Sequence, residues 1–462
     1  MWQPKLDNMT GPMYWQIRLA FLADIKSGVL RPGDKLPAQR FLAKELGVAV
    51  GTVSRAYKDL GDLGLIDSGA RRGTTVRAVP GGGQRGSDQI GRRMSAHIDL
   101  RGHRAAFPNW NEDVQQALLD IGLQSSLGDL LDYQSSSGGG RHSKAGAAWF
   151  EFTSGEACSE DEVVVCNGAQ HALICVLLAT CSAGDAVATE RMTYAGLKAA
   201  ASVLDLKLVP VDIDEGGLLP ASFQAVCEKE GVKALVCVPN IHNPTTRTIS
   251  LSRRKEIASI AADHNVTIIE DDVYGGLSSE RIPSMYSLSP ENVFRLTGLS
   301  KTLGPGIRIG YIQSSPARKS GLSVAIRATS WMASPLMAEL ASNLILNGKA
   351  CEILERNKAE LCARNEVLAK ELGANGISIS PYSPHAWLKL PSNWTKDDSL
   401  NWAHANGIKF LTSDAFLVGG YSVENAVRIS VSAAPGIESL ASFARKMAET
   451  LRKPPEDTSV LA

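Results

Sequence analysis

The 462-residue sequence lacks the features that mark several classes of protein. Its eight cysteines form no Cys-x-x-Cys pair and no Cys/His cluster with zinc spacing, which predicts reduced core cysteines rather than disulfides or a metal site. The start, Met1-Trp-Gln-Pro-Lys5, lacks the charged and apolar segments of a signal peptide. The longest apolar run, Ala172–Ala183, is too short to span a bilayer. These absences predict a cytoplasmic protein with no bound metal and no membrane segment.

The chain also has no net charge, because 48 lysines and arginines balance 48 aspartates and glutamates. The balance is uneven, since residues 1–78 contain 12 basic and 7 acidic residues, a net charge of +5. A local basic excess of this kind is expected in a domain that meets nucleic acid. The chain is too long for one ordinary domain, and its length predicts two or three.

Residues 10–78 show the pattern of a small helical domain. Apolar residues at i, i+4 and i+8 predict an amphipathic helix over residues 14–26, and two further helices are predicted over Arg40–Leu46 and residues 51–63. A helix, a short glycine-containing turn and a second helix form a helix-turn-helix. Two short strands are predicted at residues 65–68 and 74–76, with a basic tip between them.

The segment from Pro32 to Leu60 strongly resembles the winged helix-turn-helix of the GntR family, whose pattern P-G-D-x-L-P-x-x-R-x-L-A-x-x-L-G-V-x-x-x-T-V-x-x-A-Y-x-x-L it carries almost whole. The resemblance implies that the third helix enters the major groove of double-stranded operator DNA and that the wing lies on phosphates or in the minor groove. It implies a set of candidate DNA contacts: Arg40, Thr52, Ser54, Arg55, Arg71 and Arg72.

Two alternatives stay open for this domain. The family often has a polar-basic pair just before the third helix, and this chain has Ala49-Val50 there, which leaves open how bases are read at that point. The candidate arginines could also form an ordinary solvated face. Residues 79–97 follow, and their glycine-rich, weakly apolar composition predicts a flexible linker.

The second domain is expected over residues 98–453. From residue 160 onward, apolar runs alternate with helical patterns, which predicts an α/β domain with a mainly parallel sheet, followed by a smaller α+β part. Ligands of such sheets lie beyond the carboxyl ends of the strands. Four predicted strands end in polar motifs: Asn167-Gly-Ala-Gln170, Pro239-Asn-Ile-His-Asn-Pro-Thr245, Glu270-Asp-Asp-Val-Tyr274 and the loop that contains Lys301.

The segment Thr297–Tyr311 contains Lys301 and, seven residues later, Arg308. A desolvated lysine can form a Schiff base with a carbonyl, and a nearby arginine can bind phosphate, a pairing that suits an aldehyde cofactor with a phosphate tail. The segment closely resembles the lysine signature S-K-x-x-x-P-G-x-R-x-G-Y of fold-type I aminotransferases. The alternative is an ordinary lysine and arginine on a strand-loop-strand at the surface.

The resemblance implies that the domain binds pyridoxal 5′-phosphate (PLP) and gives each matching residue a role. Lys301 would form the Schiff base and act in catalysis, Asp271 would pair with the pyridine nitrogen, and Tyr194 would stack on the ring. The same match assigns the remaining hydrogen bonds: Asn243 and Tyr274 to the ring's 3′ oxygen, and Gly168, Ala169, Gln170, Ser300, Arg308 and, from the neighbouring subunit, Tyr133 to the phosphate.

Two positions depart from the family pattern. Gly298 stands where serine or threonine is usual, which removes one phosphate ligand, and Thr246 stands where glycine is usual. Further along, Val427-Arg-Ile-Ser430 resembles the segment whose arginine pairs with a ligand α-carboxylate, so Arg428 is a candidate, the alternative being a surface arginine on a strand. His242 and His385 are expected to serve structure rather than catalysis.

A GntR-like domain, a flexible linker and an aminotransferase-like domain together resemble the MocR subfamily of bacterial transcription regulators. The resemblance implies a head-to-tail homodimer in which PLP, alone or joined to an amino acid or related amine, is a signal. Two functions therefore stay open: a PLP-dependent regulator, and a working aminotransferase that carries a DNA-binding domain. The residues of the pocket do not separate them, because every group that the chemistry needs is present in the sequence.

Overall fold

The computed structural model describes residues 2–6, 12–62, 65–69, 73–77, 98–106, 111–123, 127–420 and 424–452. The chain divides into two compact units, Met1–Ala96 and His97–Ala462. The linker predicted over residues 79–97 and the wing residues Arg71 and Arg72 lie outside the described residues. Within the described ranges, no helix is both long enough and apolar enough to cross a membrane.

In the described residues of the N-terminal unit there are three helices and a two-stranded antiparallel sheet. The helices are Met13–Lys26, Gln39–Glu45 and Val50–Asp62, and the strands are Ile66–Gly69 and Gly73–Val76. The predicted elements are confirmed to within one residue at each end. The helical spacing of apolar residues produces the core, in which these side chains are at most 2% exposed: Ile17, Phe21, Val53, Tyr57 and Leu60.

The C-terminal unit is organised around a seven-stranded, mainly parallel sheet, as the sequence predicts. In spatial order the strands are Val163–Cys166, Gly310–Gln313, Val293–Gly298, Thr267–Asp271, Ala234–Cys237, Ala186–Glu190 and Lys207–Val211. Only Gly310–Gln313 runs antiparallel to its neighbours. Val163 and Val165 pack into one apolar cluster and Val164 into another, so both faces of the sheet are buried.

Helices cover and connect these strands. They are Asn111–Gly122, Arg141–Ser154, Ala169–Thr180, Ala195–Val203, Pro220–Glu230, Leu251–Asp263, Met285–Leu288, Lys319–Ser330, Pro335–Leu346 and Lys349–Leu372. A short hairpin, Ile213–Asp214 with Gly217–Leu218, precedes Pro220–Glu230. Because a crossover helix returns the chain to the end of the sheet at which the previous strand began, strands that are joined in this way run parallel.

The smaller α+β part follows Lys349–Leu372. Its antiparallel sheet has the spatial order Ile377–Ser378, Ala386–Lys389, Ala426–Ile429 and Leu411–Thr412, and its helices are Lys396–Ala405 and Ile437–Leu451. The strand Ile408–Lys409 pairs in parallel with Ile98–Asp99. This long-range pairing anchors the segment that begins the second unit and fixes where residues 99–106 lie.

Two strands are longer than the sequence predicts. Apolar runs end at Ile269 and Leu296, yet the strands continue to Asp271 and Gly298. The reason is backbone pairing, because Asp271 pairs with Leu296 and Gly298 pairs with Gly310. Polar residues can extend a strand when backbone pairing continues past the apolar run. Asp271 is therefore held by the sheet itself at its carboxyl edge, the same edge at which the strand Val163–Cys166 ends.

Candidate functional site

Lys301 lies in a buried pocket at the carboxyl edge of the large sheet. It ends the turn Leu299–Lys301 that follows the strand Val293–Gly298, and its Nζ donates to the His103 carbonyl at 3.5 Å. Burial, together with the charge of Arg428, lowers the pKa of Lys301 to about 8, although Asp271 opposes the shift. A lysine with a pKa in this range supplies a substantial fraction of free amine, the form that attacks a carbonyl.

Asp271 presents a buried carboxylate oxygen to the same pocket. The residue is 5% exposed, and its Oδ1 has no hydrogen-bond partner within the described part of the chain. Burial raises the pKa of Asp271 to about 7, with a smaller opposing contribution from Lys301. Because a buried acceptor without a donor is destabilising, the site fits a ligand group that carries a proton, as a pyridinium nitrogen does.

The acids on either side of Asp271 have protein partners. Asp272 accepts from Arg295 Nη2 and Asn240 Nδ2, both at 2.6 Å. The Glu270 carboxylate accepts from two backbone N–H groups at 3.2 Å. Of the three consecutive carboxylates, Asp271 is thus the one left for a ligand. No group of three or more His, Cys, Asp or Glu side chains in the described ranges could hold a metal ion.

The start of the helix Ala169–Thr180 and Arg308 form a cradle suited to phosphate. Gly168 precedes the helix with φ +87°, and a Cβ there would lie 2.9 Å from Arg308 Nη2. A Cβ on Gly310 would lie 2.8 Å from the Ala169 nitrogen. Glycine is therefore needed at both positions, because a larger residue would clash with Arg308 or with the start of the helix. The free N–H groups of the helix and the Arg308 guanidinium together form an anion site.

Two other residues are assigned to the phosphate, Gln170 through its backbone N–H and Ser300. The Gln170 side chain is occupied, since Nε2 donates to the Gly196 carbonyl at 2.9 Å and Oε1 accepts from the Tyr194 hydroxyl at 3.2 Å. The backbone N–H of Gln170, at the start of the helix, is the group expected to meet phosphate. Ser300 lies half-buried in the turn beside Lys301.

The structure shows what surrounds the two positions, 298 and 246, at which the sequence departs from the family pattern. A Cβ on Gly298 would lie 3.3 Å from the Ala169 nitrogen, so a hydroxyl there would reach the phosphate cradle and its absence removes one donor. Thr246 has φ +65°, a conformation that favours glycine. Its Oγ1 donates to the Thr245 carbonyl at 2.6 Å, which offsets part of the strain.

Arg428, Asn243 and Tyr274 line the side of the pocket nearest the smaller domain. Arg428 is buried, its Nη1 donates to Asn243 Oδ1 at 2.8 Å, and its Nη2 donates to the Arg101 carbonyl. Its Nε has no partner among the described residues, and burial lowers its pKa to about 10. A buried guanidinium with an unused donor suits a ligand carboxylate. Asn243 also hydrogen-bonds Tyr274, whose pKa burial raises.

Two histidines complete the pocket, and the sequence assigned neither of them to it. The Tyr274 hydroxyl lies 2.8 Å from His103 Nδ1, and the rings of His103 and His385 stack with centroids 4.8 Å apart. His242 instead binds Thr245 and the Met192 carbonyl, a structural role. His103 lies in a segment without periodicity, so only its position beside Gly102 could have marked it.

Tyr133 and the described DNA candidates have exposed or half-buried side chains. Tyr133 is 76% exposed and packs on Trp331, which is 53% exposed. In the N-terminal unit, Arg55 is exposed with its guanidinium 3.8 Å from the Tyr14 ring centroid. Ser54 Oγ donates to Gln39 Oε1 at 2.6 Å. Arg40 is exposed on the second helix and Thr52 is half-buried on the third.

Family models match both units. Residues 99–444 match "Aminotransferase class I and II", and residues 13–76 match "Bacterial regulatory proteins, gntR family". The uncharacterized HTH-type transcriptional regulator YdeF of Bacillus subtilis is 29% identical over 95% of this chain and 94% of its own length. The vitamin B6 salvage pathway transcriptional repressor PtsJ of Salmonella typhimurium is 28% identical over 80% of this chain and 83% of its own.

Solved structures agree on the fold. The multiple substrate aminotransferase of Thermococcus profundus superposes with a TM-score of 0.70 at 23% identity, covering 78% of this chain and 92% of that one. At this identity the likeness shows the fold alone. The chain thus belongs to the aminotransferase class I and II family, and with its gntR-type domain it matches the MocR subfamily of transcription regulators.

Proposed function

We propose that the protein is a PLP-dependent transcription regulator of the bacterial cytoplasm. Its C-terminal unit binds PLP and an amino acid, and its N-terminal unit binds double-stranded operator DNA. The observation that carries the proposal is a cofactor pocket in the same chain as a gntR-type helix-turn-helix. The name of the Salmonella relative, a repressor of vitamin B6 salvage, supports a regulatory use of this architecture.

The chain's own residues would hold PLP at both ends. Lys301 provides the amine for covalent attachment, and Asp271 accepts from the pyridinium nitrogen through its unpaired Oδ1. Tyr274 and Asn243 bind the ring oxygen, and Arg308 with the start of Ala169–Thr180 binds the phosphate. When bound, PLP supplies an aldehyde for amines and a ring that withdraws electrons.

The amino ligand would be an amino acid with a free carboxylate. Arg428 lies close enough to Lys301 to lower the pKa of its amine, so a ligand amine near Lys301 brings an α-carboxylate near Arg428. The unused Nε of Arg428 and its planar guanidinium give that carboxylate a bidentate partner. Simple amines lack this interaction.

We also propose a head-to-tail homodimer in which Tyr133 reaches the phosphate of the neighbouring subunit. Large apolar side chains are exposed in the single chain both at Trp331, on which Tyr133 packs, and in the sequence that precedes Tyr133: Leu118, Leu119, Leu123, Leu127 and Leu131. Such a concentration of exposed apolar residues is typical of a surface that another chain covers.

A working aminotransferase is the second candidate, because Lys301 has a pKa of about 8 and the groups that transamination requires are all within the pocket. Steady-state turnover with a keto-acid acceptor, measured over a panel of amino acids, distinguishes the two. The regulator predicts PLP absorbance that responds to amino acids with turnover far below the ordinary range of about 1–10³ per second. Turnover within that range, without any effect of amino acids on DNA binding, favours the enzyme.

A further inference from the structure

Two stacked histidines in the pocket leave two ring nitrogens without partners among the described residues. The rings of His103 and His385 are inclined by only 7°, and both contact the Tyr274 ring. His103 Nε2 and His385 Nδ1 are buried and make no hydrogen bond with the part of the chain that the structure describes. None of the contacts assigned to PLP or to the α-carboxylate uses either nitrogen. Because unpaired buried nitrogens are destabilising, they indicate a further group of the ligand.

His385 offers its free nitrogen as a hydrogen-bond acceptor. The residue is 0% exposed, and its Nε2 lies 3.1 Å from the His242 carbonyl, which can only accept, so Nε2 carries the proton. Burial and the positive charge of Arg428 lower the pKa of His385 well below its usual range, which keeps the ring neutral near pH 7. A neutral imidazole with its proton on Nε2 can only accept at Nδ1.

His103 takes the corresponding form when Tyr274 serves the cofactor. Its Nδ1 lies 2.8 Å from the Tyr274 hydroxyl. A Tyr274 hydroxyl that donates to the ring oxygen of PLP must accept from His103 Nδ1, which leaves His103 Nε2 as a second acceptor. Burial, Arg428 and Lys301 lower the pKa of His103 as well, so this ring is also neutral.

We infer that the histidine pair, His103 and His385, is the side-chain subsite of the effector, and that it selects amino acids whose side chain ends in a neutral hydrogen-bond donor. This inference rests on the proposed function. A carboxamide or a hydroxyl provides such a donor, and a primary carboxamide has two N–H groups for the two nitrogens. The selected class is therefore the polar, uncharged amino acids.

Other side chains fit the pair less well. A carboxylate has no proton to donate to an acceptor nitrogen. An ammonium or guanidinium would be repelled by Arg428 and Lys301, the two positive groups that face both histidines. An aliphatic side chain would leave both nitrogens unpaired, a defect against which a hydrogen-bonding site discriminates strongly.

Two substitutions at His385 separate its two ring nitrogens. Asparagine places a side-chain oxygen near the position of Nδ1 and so retains an acceptor. Glutamine places its amide near the position of Nε2, so it retains the donor to the His242 carbonyl and loses the acceptor. His404→Gln, on an exposed position of the helix Lys396–Ala405, is the matched control.

The test measures the affinity of the PLP-loaded protein for matched pairs of amino acids, by calorimetry and by the absorbance of bound PLP. The pairs are glutamine with glutamate, asparagine with aspartate, and threonine with valine. The comparison uses the pair that contains the tightest-binding amino acid. In wild type, His404→Gln and His385→Asn, the member of that pair whose side chain has a neutral donor should bind at least about tenfold better than the other member. In His385→Gln, with an unchanged unfolding temperature, the two should bind within about threefold of each other.

A carboxylate or aliphatic member that binds as tightly as its donor partner in wild type overturns the inference, as does an unchanged preference in His385→Gln. The inference is also overturned if His385→Asn and His385→Gln both lose the preference for the neutral donor. The acceptor that asparagine retains would then not be what produces the preference. Failure of every amino acid to bind to PLP-loaded wild type overturns the proposed function together with the inference.

Discussion

Asp271 and Lys301 stabilise each other's charged forms within one buried pocket. The Lys301 charge lowers the pKa of Asp271 and the Asp271 charge raises that of Lys301, yet burial dominates both. The two pKa values are therefore brought to about 7 and about 8. Burying these two charged groups destabilises the folded protein when no ligand is bound. Perturbed pKa values and a cost in stability are both typical of functional sites.

Asp271→Asn should stabilise the cofactor-free protein in a pH-dependent way. The pKa of Asp271 is about 7 in the folded protein against an ordinary 3.8, so the folded state holds a proton that the unfolded chain releases, and stability falls as pH rises between these values. Asparagine has no charge to bury. We expect a higher unfolding temperature than wild type at pH 8, little difference at pH 4, and weaker PLP binding. A destabilised variant at pH 8 would contradict the unpaired state of this carboxylate.

Gly168→Ala should weaken PLP binding through a direct clash with Arg308. The added Cβ would lie 2.9 Å from Arg308 Nη2, at a backbone φ of +87°. Gly184→Ala is the matched control, because Gly184 also has φ +87° but nothing within 4 Å of its Cβ position. Both variants should lose about 1 kcal/mol or more of stability from the strained backbone. Only Gly168→Ala should show reduced affinity in a PLP titration, and equal PLP affinities would remove Arg308 from the phosphate site.

Arg428→Ala should reduce the affinity for amino acids while sparing PLP. The guanidinium is proposed to pair with the ligand carboxylate. Its own hydrogen bonds are to Asn243 and the Arg101 carbonyl, and although Asn243 is one of the groups assigned to PLP, Lys301, Asp271 and Arg308 remain to hold the cofactor. The measurement is the change in PLP absorbance on titration with an amino acid and with the amine of the same side chain. Wild type should prefer the amino acid, and the variant should lose that preference. Equal binding of both in wild type would show that Arg428 is misassigned.

Arg55→Ala should weaken operator binding by about 1–3 kcal/mol if Arg55 reads a base. Arg55 is exposed on the third helix and packs on Tyr14, so its side chain is already ordered before DNA is bound. Arg40→Ala should instead lower the salt dependence of binding, as the loss of a phosphate contact does. A salt series on the cognate operator measures both. Unchanged operator affinity and an unchanged salt slope in both variants would show that the surface formed by Arg40 and Arg55 does not bind the operator.

The sequence predicts the local parts of the site better than the parts assembled over long distances. Lys301 and Arg308 belong to one contiguous motif, and Asp271 and Tyr274 to another, so spacing alone places them at the sheet edge. His103 reaches the pocket because Ile98–Asp99 pairs with Ile408–Lys409, 310 positions further along the chain. No periodicity marks such a pairing in advance, since register depends on the tertiary structure.

Burial was equally hard to predict from sequence. Arg428 was open to interpretation as a surface arginine, whereas the structure buries it against Asn243 and the Phe416 ring. Charged residues are rarely buried, and the sequence does not show which groups would pair with Arg428 in the interior. The wing, with Arg71 and Arg72, stays a prediction because it lies outside the described residues.

An amino acid held with PLP is proposed to act on DNA binding, and Lys301→Ala is the variant that tests this proposal. A sensor needs only that the ligand bind one arrangement of the protein better than the other. A preformed adduct of PLP and an amino acid needs no bond to Lys301, and Asp271, Tyr274 and Arg308 remain to hold it.

The decisive measurement is the operator affinity of Lys301→Ala with and without that adduct, on an operator first selected from genomic DNA by the wild-type protein. The adduct should change this affinity by about 5- to 150-fold, the usual range of coupling between two sites. An affinity that no adduct alters, in a protein whose wild type transaminates at ordinary enzyme rates, would contradict the account and leave an aminotransferase that carries a DNA-binding domain.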